Sequence, residues 1–383
     1  MGFRECRADP CMFVRIGKSP VYIILYVDDL LVGCKTDEEA EAIRAELGSQ
    51  FKLKSIGDAR FVLGMEIQYN IVNGELLLRQ TQFIKYLLEK FGQQDSNAVR
   101  NLLTIGQDLT QDGLHEMHRG KTQFRELIGS LLYVANATRP DISVALSILS
   151  QFLDNPLEIH WNAATRELCY LKGTATLGIQ FRRNKHLVLE AFADANWGGD
   201  RLTRRSTSGV LLLLGAPVVF KSKRQATVAL SSAEAEYMSL ALATQEVVWL
   251  RYLLLEMGFK LEKPTTVYLD NKSAIRIASN HGYTPRAKHI DLRAHFVRDH
   301  VEAKTIFLQH VASDDQLADY LTKPIPTPQL VKLREASGIK EHASLRGSVE
   351  DDLLCHRQYK ATRKIRECWC RSFQSSRTDF GRC

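Results

Sequence analysis

A chain of 383 residues with 45% hydrophobic and 25% charged residues has the composition of a globular protein, which excludes an intrinsically disordered chain. Its formal charge of +7 and pI near 8.9 favour a polyanionic partner. The sequence has no disulfide-like cysteine spacing, no apolar run of transmembrane length and no signal peptide at its start, so we expect an intracellular protein, cytoplasmic or nuclear, with no membrane partner.

The first strong pattern is PVYIILYVDDLLVGC at 20–34, in which two acidic residues separate two apolar stretches. The pattern predicts a two-stranded hairpin with Asp28 and Asp29 at its tip, where the two carboxylates could hold a metal ion. A plain hairpin turn also tolerates two aspartates, although a Gly or Asn usually stands beside them.

The region from 101 to 185 carries patterns typical of helices. FRELIGSLLYVANATRPDISVALSILSQFLDNP predicts two helices, with Pro140 in the first turn of the second and Asp141 favourable near its N-terminus. A third helix is predicted in HWNAATRELCYLKGT. Nothing in these patterns distinguishes core packing from contacts with a nucleic-acid backbone.

The stretch LVLEAFADANWGGD at 187–200 predicts a strand that ends by presenting Asp194. A carboxylate among apolar strand residues costs free energy unless something cationic meets it. A single such aspartate is more often a hydrogen-bonded turn former. Asp194 therefore becomes a site candidate only in combination with other carboxylates.

A helix is predicted to begin near Ser231, because Ser231 and Glu234 have the Ser-x-x-Glu spacing of a capping box. Capping supplies Glu234 with a structural role. Glu236 has no such role, so it is the better candidate for chemistry.

Two later carboxylates also lie at the end of a predicted strand or on a predicted helix, as Asp194 and Glu236 do. Asp270 ends a predicted strand in TTVYLDNKSAIRIAS, and Asp319 lies on a predicted short helix in SDDQLADYLTK. These two residues can converge with Asp194 and Glu236 at one edge of a mixed sheet. Such a cluster cannot stay ionised without cations, and two Mg²⁺ ions about 4 Å apart would neutralise it and clamp the reacting oxygens of a phosphodiester.

At these residues the chain resembles the ribonuclease H of copia-type (Ty1/copia) retrotransposons. The resemblance runs through ADANWGGD, STSGVLLLLGAPVVFKSKRQATVALSSAEAEYMSL, LDNKSAI, KHIDLRAHFVRDH and QLADYLTKP. It implies a mixed five-stranded sheet with helices, and activity on the RNA strand of an RNA–DNA hybrid with two Mg²⁺ or Mn²⁺ ions. It also implies that Asp194, Glu236, Asp270 and Asp319 are the catalytic, metal-binding carboxylates.

The first part of the chain resembles the reverse transcriptase of the same family. Tyr26-Val27-Asp28-Asp29 is similar to the signature of the polymerase palm, and GFRECRADPCMFVR before it is also copia-like. The resemblance implies that Asp28 is the main metal ligand and Asp29 its companion. The family places a further metal-binding Asp and the nucleotide pocket upstream, and too few residues precede Asp28 to hold them. We therefore expect a polymerase remnant without primer extension, with apolar residues such as Ile23 and Val32 exposed at a sheet edge.

The expected fold is α/β (α+β), in four parts. We expect a reverse-transcriptase palm remnant at 1–100, a helical region similar to the thumb and connection at 101–185, a ribonuclease H-like domain at 186–324 and a disordered tail at 325–383.

Six basic residues and no acidic residue lie between 201 and 224, beside Asp194 in the sequence. They could follow a phosphate backbone. A solvated hairpin face is the alternative. The residues are Arg201, Arg204, Arg205, Lys221, Lys223 and Arg224.

The sequence thus favours a metal-dependent ribonuclease H that acts on an RNA–DNA hybrid, with other products of the polyprotein as further partners. One alternative is a catalytically inactive fragment that binds nucleic acid. An unstable relic is another.

Overall fold

The computed structural model describes residues 2–70, 73–103, 109, 120–184, 187–279, 291–341 and 355–361. These residues form two compact units. Unit 1 comprises the described parts of 1–62, 249–260 and 347–383, and unit 2 those of 63–248 and 261–346. No helix within the described ranges is both long and apolar enough to cross a lipid bilayer.

The strands and helices are numbered in chain order. The strands are β1 (Arg4–Glu5), β2 (Met12–Arg15), β3 (Val21–Tyr26), β4 (Asp29–Cys34), β5 (Leu53–Asp58), β6 (Phe61–Val62), β7 (Met65–Asn70), β8 (Glu75–Arg79), β9 (Leu177–Arg182), β10 (Glu190–Asn196), β11 (Thr207–Leu213), β12 (Pro217–Arg224), β13 (Thr265–Leu269), β14 (Ile306–His310), β15 (Ile339–Glu341) and β16 (Cys355–Ala361). The helices are α1 (Asp37–Gly48), α2 (Thr81–Lys90), α3 (Lys121–Ala137), α4 (Ser143–Leu149), α5 (Glu158–Gly173), α6 (Ser232–Glu256), α7 (Lys272–Ser279), α8 (Asp291–Glu302) and α9 (Thr327–Ala336). Short 3₁₀ turns lie at Pro140–Ile142, Ser150–Phe152, Ser313–Asp315 and Asp319–Leu321.

Unit 1 is a sheet with strand order β1-β2-β3-β4-β16-β5. The predicted hairpin is present as antiparallel β3 and β4, in which Tyr26 pairs with Asp29. Apolar residues alternate along both strands, so one face of the hairpin packs against α1. The expected exposure of Ile23 and Val32 is wrong, because both are fully buried. The sequence pattern did not reveal that β2 and β16 pair with the outer edges of β3 and β4.

Unit 2 contains the predicted mixed five-stranded sheet, in the order β12-β11-β10-β13-β14. Strands β10, β11 and β12 are antiparallel neighbours, whereas β13 runs parallel to β10 and β14 runs parallel to β13. Helix α6 is tied to the centre of this sheet by the buried Ser239 hydroxyl, which donates to the Asp194 and Gly209 carbonyl oxygens at 2.7 and 3.1 Å. The central strand β10 therefore has a fixed position relative to α6.

The helices predicted between 101 and 185 are present as α3, α4 and α5, with Pro140 in a 3₁₀ turn just before α4. They share one apolar core with α2 and with Phe192 and Leu211 of the five-stranded sheet. Strand β9, which follows α5, pairs with β8 and with β15. The first boundary between the two compact units along the chain lies at 62/63.

The expectation of a disordered tail does not hold for its first part. Helix α9 and strand β15 occupy 327–341, and Leu330, Leu333 and Ile339 are buried. No local pattern indicated that Ile339 would pair with Ile179 of β9. Residues 342–354 and 362–383 lie outside the described part of the chain.

A buried ionic network joins the helical layer to α9. The guanidinium of Arg139 forms two hydrogen bonds with the Asp141 carboxylate at 2.9 and 2.7 Å, and neither side chain is exposed. The Tyr170 hydroxyl donates to the same carboxylate at 2.7 Å, and Arg334 donates to the Tyr170 oxygen at 2.9 Å. Burial alone would raise the pKa of Asp141, but the charge and hydrogen bonds of Arg139 lower it overall.

Asp141→Asn should destabilise the chain by about 3–5 kcal/mol, because it leaves the Arg139 charge buried without its partner. The free energy of unfolding from guanidinium denaturation measures this loss. The matched control is Asp154→Asn, which removes an ion pair with Arg125 at the surface and should have no measurable effect. Equal effects of the two substitutions would show that the buried network does not hold the helical layer together.

Candidate metal and nucleic-acid site

Asp194 lies on the central strand β10, and its side chain is almost fully buried. Its Oδ2 accepts a hydrogen bond from the Thr322 hydroxyl at 2.5 Å. Thr322 can approach so closely because Gly209, the residue paired with Asp194, has no side chain. A Cβ at this glycine would lie 2.5 Å from Thr322 Cγ2 and 2.8 Å from the Ala318 carbonyl oxygen. The backbone at 318–322 therefore lies directly on the sheet.

Glu236 lies in the second turn of α6 and is also buried. Its carboxylate accepts a hydrogen bond from the Ala195 backbone N–H. Its Oε2 is buried and has no hydrogen-bond partner in the described part of the chain. An orphaned carboxylate oxygen in a buried position is a suitable ligand atom for a cation.

The structural role predicted for Glu234 is confirmed. Its backbone N–H donates to the Ser231 hydroxyl at 3.2 Å, and its Oε2 accepts from the Leu230 N–H at 2.7 Å. These contacts cap α6 and direct the Glu234 side chain to the backbone before the helix.

Asp270 directly follows β13 and is half-buried. The Ser313 hydroxyl donates to its Oδ2 at 2.8 Å. Because β13 runs parallel to β10, Asp270 comes to the same edge of the sheet as Asp194. One carboxylate oxygen from each of Asp194, Glu236 and Asp270 lies within 4.8 Å of the other two.

Asp319 is close to this group but does not belong to it. The side chain begins a 3₁₀ turn, and its Oδ1 forms an ion pair with Lys323 Nζ at 2.7 Å. Burial alone would lower the pKa of Lys323, but the hydrogen bond with Asp319 and the charges of Asp194 and Asp319 raise it overall, so this lysine stays charged. The structure thus brings together three of the four predicted carboxylates and pairs the fourth with a lysine.

Sequence reasoning missed Thr322 and Lys323. Only their position in the sequence could have indicated a role at the site, since both directly follow the Asp319 turn in DYLTKP. Neither residue type on its own indicates a contact with a carboxylate.

The electrostatics of the cluster favour a bound cation. Burial, followed by the charge of Asp319, raises the pKa of Asp194 from 3.8 to about 7. Burial, followed by the charges of Asp194 and Asp270, raises the pKa of Glu236 from 4.5 to about 9. Hard divalent cations prefer oxygen ligands, so these residues fit a divalent metal site.

Asp28 and Asp29 lie at the tip of the β3–β4 hairpin and are half-buried. Val27, the first residue of the turn, has a φ of 54°, the left-handed conformation that a tight hairpin requires. Within the described ranges, no third carboxylate, histidine or cysteine joins these aspartates in a metal-binding group. Their predicted role as metal ligands stays a prediction.

The six basic residues predicted to bind nucleic acid divide into two sets. Lys221, Lys223 and Arg224 lie on β12, whereas Arg201, Arg204 and Arg205 lie between β10 and β11. Two of them have acidic partners that are distant in the sequence. Lys221 pairs with Glu246 at 2.5 Å, and Arg224 pairs with Asp200 at 3.0 Å. Their predicted contact with nucleic acid stays a prediction.

Comparison with known proteins finds one matching family, similar transposon proteins and a similar solved structure. Residues 1–103 match the family described as reverse transcriptase (RNA-dependent DNA polymerase). The retrovirus-related Pol polyprotein from transposon RE2 of Arabidopsis thaliana is 36% identical over 85% of this chain. A putative transposon Ty5-1 protein of Saccharomyces cerevisiae is 31% identical over 60% of this chain and 74% of its own length. The solved structure of LC11-RNase H1, isolated from compost, aligns with 36% of this chain and 94% of its own at 16% identity, with a TM-score of 0.29.

The chain spans only part of its large relatives. The RE2 match covers 22% of the polyprotein, and a second Arabidopsis polyprotein, from transposon RE1, is covered to the same extent.

Asp194→Asn should stabilise the metal-free chain at pH 8, and the gain should shrink as the pH falls toward 5. The raised pKa of Asp194 means that the wild-type contribution to stability is fully present below the ordinary value of 3.8 and is lost as the pH rises from there through about 7. The substitution removes the ionisation that causes this loss. Thermal unfolding of wild type and variant across this pH range, in chelator, measures the difference.

Asp200→Asn is the matched control, because it should change the stability at pH 8 in the opposite direction. Burial alone would raise the pKa of Asp200, but hydrogen bonds from Thr203 and Arg224 lower it overall. Its contribution to stability is therefore present at neutral pH and lost as the pH falls below the ordinary value of 3.8. Asp200→Asn should destabilise the chain at pH 8. Identical pH dependence of wild type and Asp194→Asn would contradict the electrostatic account of the cluster.

Proposed function

This chain belongs to the copia-type retrotransposon Pol family, and on that premise we propose that it is a ribonuclease H that cleaves the RNA strand of RNA–DNA hybrids. The observation that carries the proposal is the group formed by Asp194, Glu236 and Asp270, with ligand atoms mutually within 4.8 Å at one edge of a mixed sheet. Carboxylates so arranged suit metal-dependent hydrolysis of a phosphodiester.

Asp194, Glu236 and Asp270 would hold two Mg²⁺ or Mn²⁺ ions, and Asp319 would be the fourth carboxylate of the site. When bound, the ions supply an activated water as nucleophile and stabilise the leaving oxygen. The ion pair with Lys323 uses only the Oδ1 atom of Asp319. Lys323 would place a positive charge beside the reacting phosphate, since the charges of Asp194 and Asp270 already act on it.

The chain holds the three carboxylates in place before substrate arrives. Thr322 fixes Asp194, the Ala195 N–H fixes Glu236 and Ser313 fixes Asp270. These hydrogen bonds supply the orientation that a reacting group needs and limit reorganisation during the reaction. Two of the three carboxylates are buried, so little water competes for them.

The basic residues between 201 and 224 would contact the hybrid backbone to different degrees. Lys221 and Arg224 are already paired with carboxylates and contribute less charge to a phosphate. Arg204 and Lys223 are exposed, so they are the better phosphate contacts. Further partners would be other products of the polyprotein.

Asp28 and Asp29 would belong to a separate metal site. They supply two carboxylates at the tip of a hairpin, in the region that matches the reverse-transcriptase family. Polymerisation needs a further carboxylate and a nucleotide pocket in addition to these two residues.

Asp194→Asn and Asp270→Asn should each lower hybrid cleavage by the full chain by about a hundredfold or more, since even outer-shell changes cost about 10–100-fold. Cleavage of a labelled RNA–DNA hybrid in Mg²⁺ is measured, with DNA and RNA duplexes as substrate controls. Glu234→Gln is the matched control, because it alters the cap of α6 and leaves the cluster intact.

Hybrid binding without cleavage by the folded wild type would favour the alternative, a catalytically inactive nucleic-acid-binding fragment. Loss of cleavage in Glu234→Gln, with cleavage retained in Glu236→Gln, would show that the wrong glutamate of α6 has been assigned to the site.

A further inference from the structure

A polar groove of about 310 Å³ lies between the helical layer and β12. Its lining includes four serine hydroxyls, two side-chain amides and one guanidinium, and no carboxylate in the described part of the chain. The polar lining residues are Asn136, Ser143, Ser147, Ser150, Gln151, Ser222 and Arg224. The Ser150 hydroxyl already donates to the Leu146 carbonyl oxygen at 2.6 Å. The other donors, in a groove without acids, suit an anion.

The strand register places this groove on the same face of the sheet as Asp194. Asp194 pairs with Gly209, and Gly209 pairs with Ser222, so the Asp194 and Ser222 side chains point to one face. Ser222 is two strands away from Asp194, a distance of about 10 Å. Arg224 is two residues further along β12 and points to the same face.

Ser222 gives independent evidence that the groove takes a ligand. Its Oγ is buried and has no hydrogen-bond partner within the described residues. A buried hydroxyl without a partner loses free energy, which a ligand oxygen in the groove would restore. On the opposite wall, Ser143 and Ser147 are spaced i, i+4, so both lie on one face of α4.

Arg224 is held in position and keeps donors for a ligand. Its Nη1 donates to Gln151 at 2.7 Å and to Asp200 at 3.0 Å. The Nε and Nη2 atoms carry three further N–H groups. The ion pair with Asp200 balances the charge of Arg224, so the groove recognises an anion through hydrogen bonds more than through net charge.

We propose that this groove is a subsite for a backbone phosphate of the nucleic-acid substrate. The inference rests on the proposed nuclease function. Ser, Asn and Gln side chains are common phosphate contacts, and the lining offers no aromatic ring on which a base could stack. The subsite therefore reads the backbone and not the base sequence. Successive phosphates of a strand advance about 3.4 Å along the duplex axis and lie further apart than that in space, so a separation of about 10 Å places the bound phosphate no more than about three nucleotides from the cleaved bond.

The test measures hybrid binding by the full chain in Ca²⁺, in the Asp194→Asn background, so that cleavage does not interfere. Ser147→Ala with Ser222→Ala should weaken binding about tenfold or more, because two hydrogen bonds to a charged group are lost. The slope of affinity against salt should not change, because no cation is removed. Asn136→Ala, at the exposed rim, should weaken binding without any risk to the fold. The control is Ser130→Ala, whose hydroxyl bonds to the Glu126 carbonyl outside the groove.

Hybrids with one neutral methylphosphonate locate the contact. At one position, no more than about three nucleotides from the cleaved bond, the neutral linkage should weaken binding by the serine-intact protein and have no further effect on the double serine variant. Placing it in the DNA strand in one series and in the RNA strand in another identifies the strand. Unchanged binding by the serine variants and Asn136→Ala would overturn the subsite, even if the wild type cleaves hybrids. Weakened binding without wild-type cleavage would support the subsite and refute the nuclease proposal.

Discussion

Repulsion among carboxylates at the end of β10 is the constraint that the rest of unit 2 satisfies. Asp194 and Glu236 are buried with Asp270 beside them, and their ligand atoms lie within 4.8 Å. Both buried groups have raised pKa values, since desolvation and like charge disfavour ionisation. Such an arrangement lowers the stability of the fold, and packing elsewhere must offset this loss. Strongly shifted pKa values of this kind are typical of functional sites.

The turn at 318–322 stabilises the buried carboxylate of Asp194. The absence of a side chain at Gly209 lets this turn lie on the sheet. Thr322 then donates to Asp194, and Lys323 neutralises Asp319. Helix α9 and β15 follow the turn and pack against the helical layer and β9, which holds the turn in place.

Local patterns in the sequence predicted the elements that depend on local physics. Alternating apolar residues around Asp28-Asp29 gave the correct hairpin, and the Ser-x-x-Glu spacing distinguished the cap residue Glu234 from Glu236. Strand ends at Asp194 and Asp270 correctly indicated a shared edge, because parallel strands bring their ends together.

The remaining features depend on contacts between residues that are distant in the chain. The burial of Ile23 and the order of 327–341 result from strand pairing that no local period shows. Asp319 and Lys323 are close in the sequence, but only the geometry of the turn reveals that they form an ion pair. The groove beside Ser222 forms only when the helical layer meets the sheet.

Metal binding at the three carboxylates is the central claim, and a Mn²⁺ titration followed by electron paramagnetic resonance tests it most directly. The wild-type chain should bind Mn²⁺ that Mg²⁺ displaces. Glu236→Gln should weaken this binding by at least about tenfold, whereas Glu234→Gln, two residues earlier on the same helix, should bind like the wild type. Equal Mn²⁺ binding by wild type and Glu236→Gln would contradict the account.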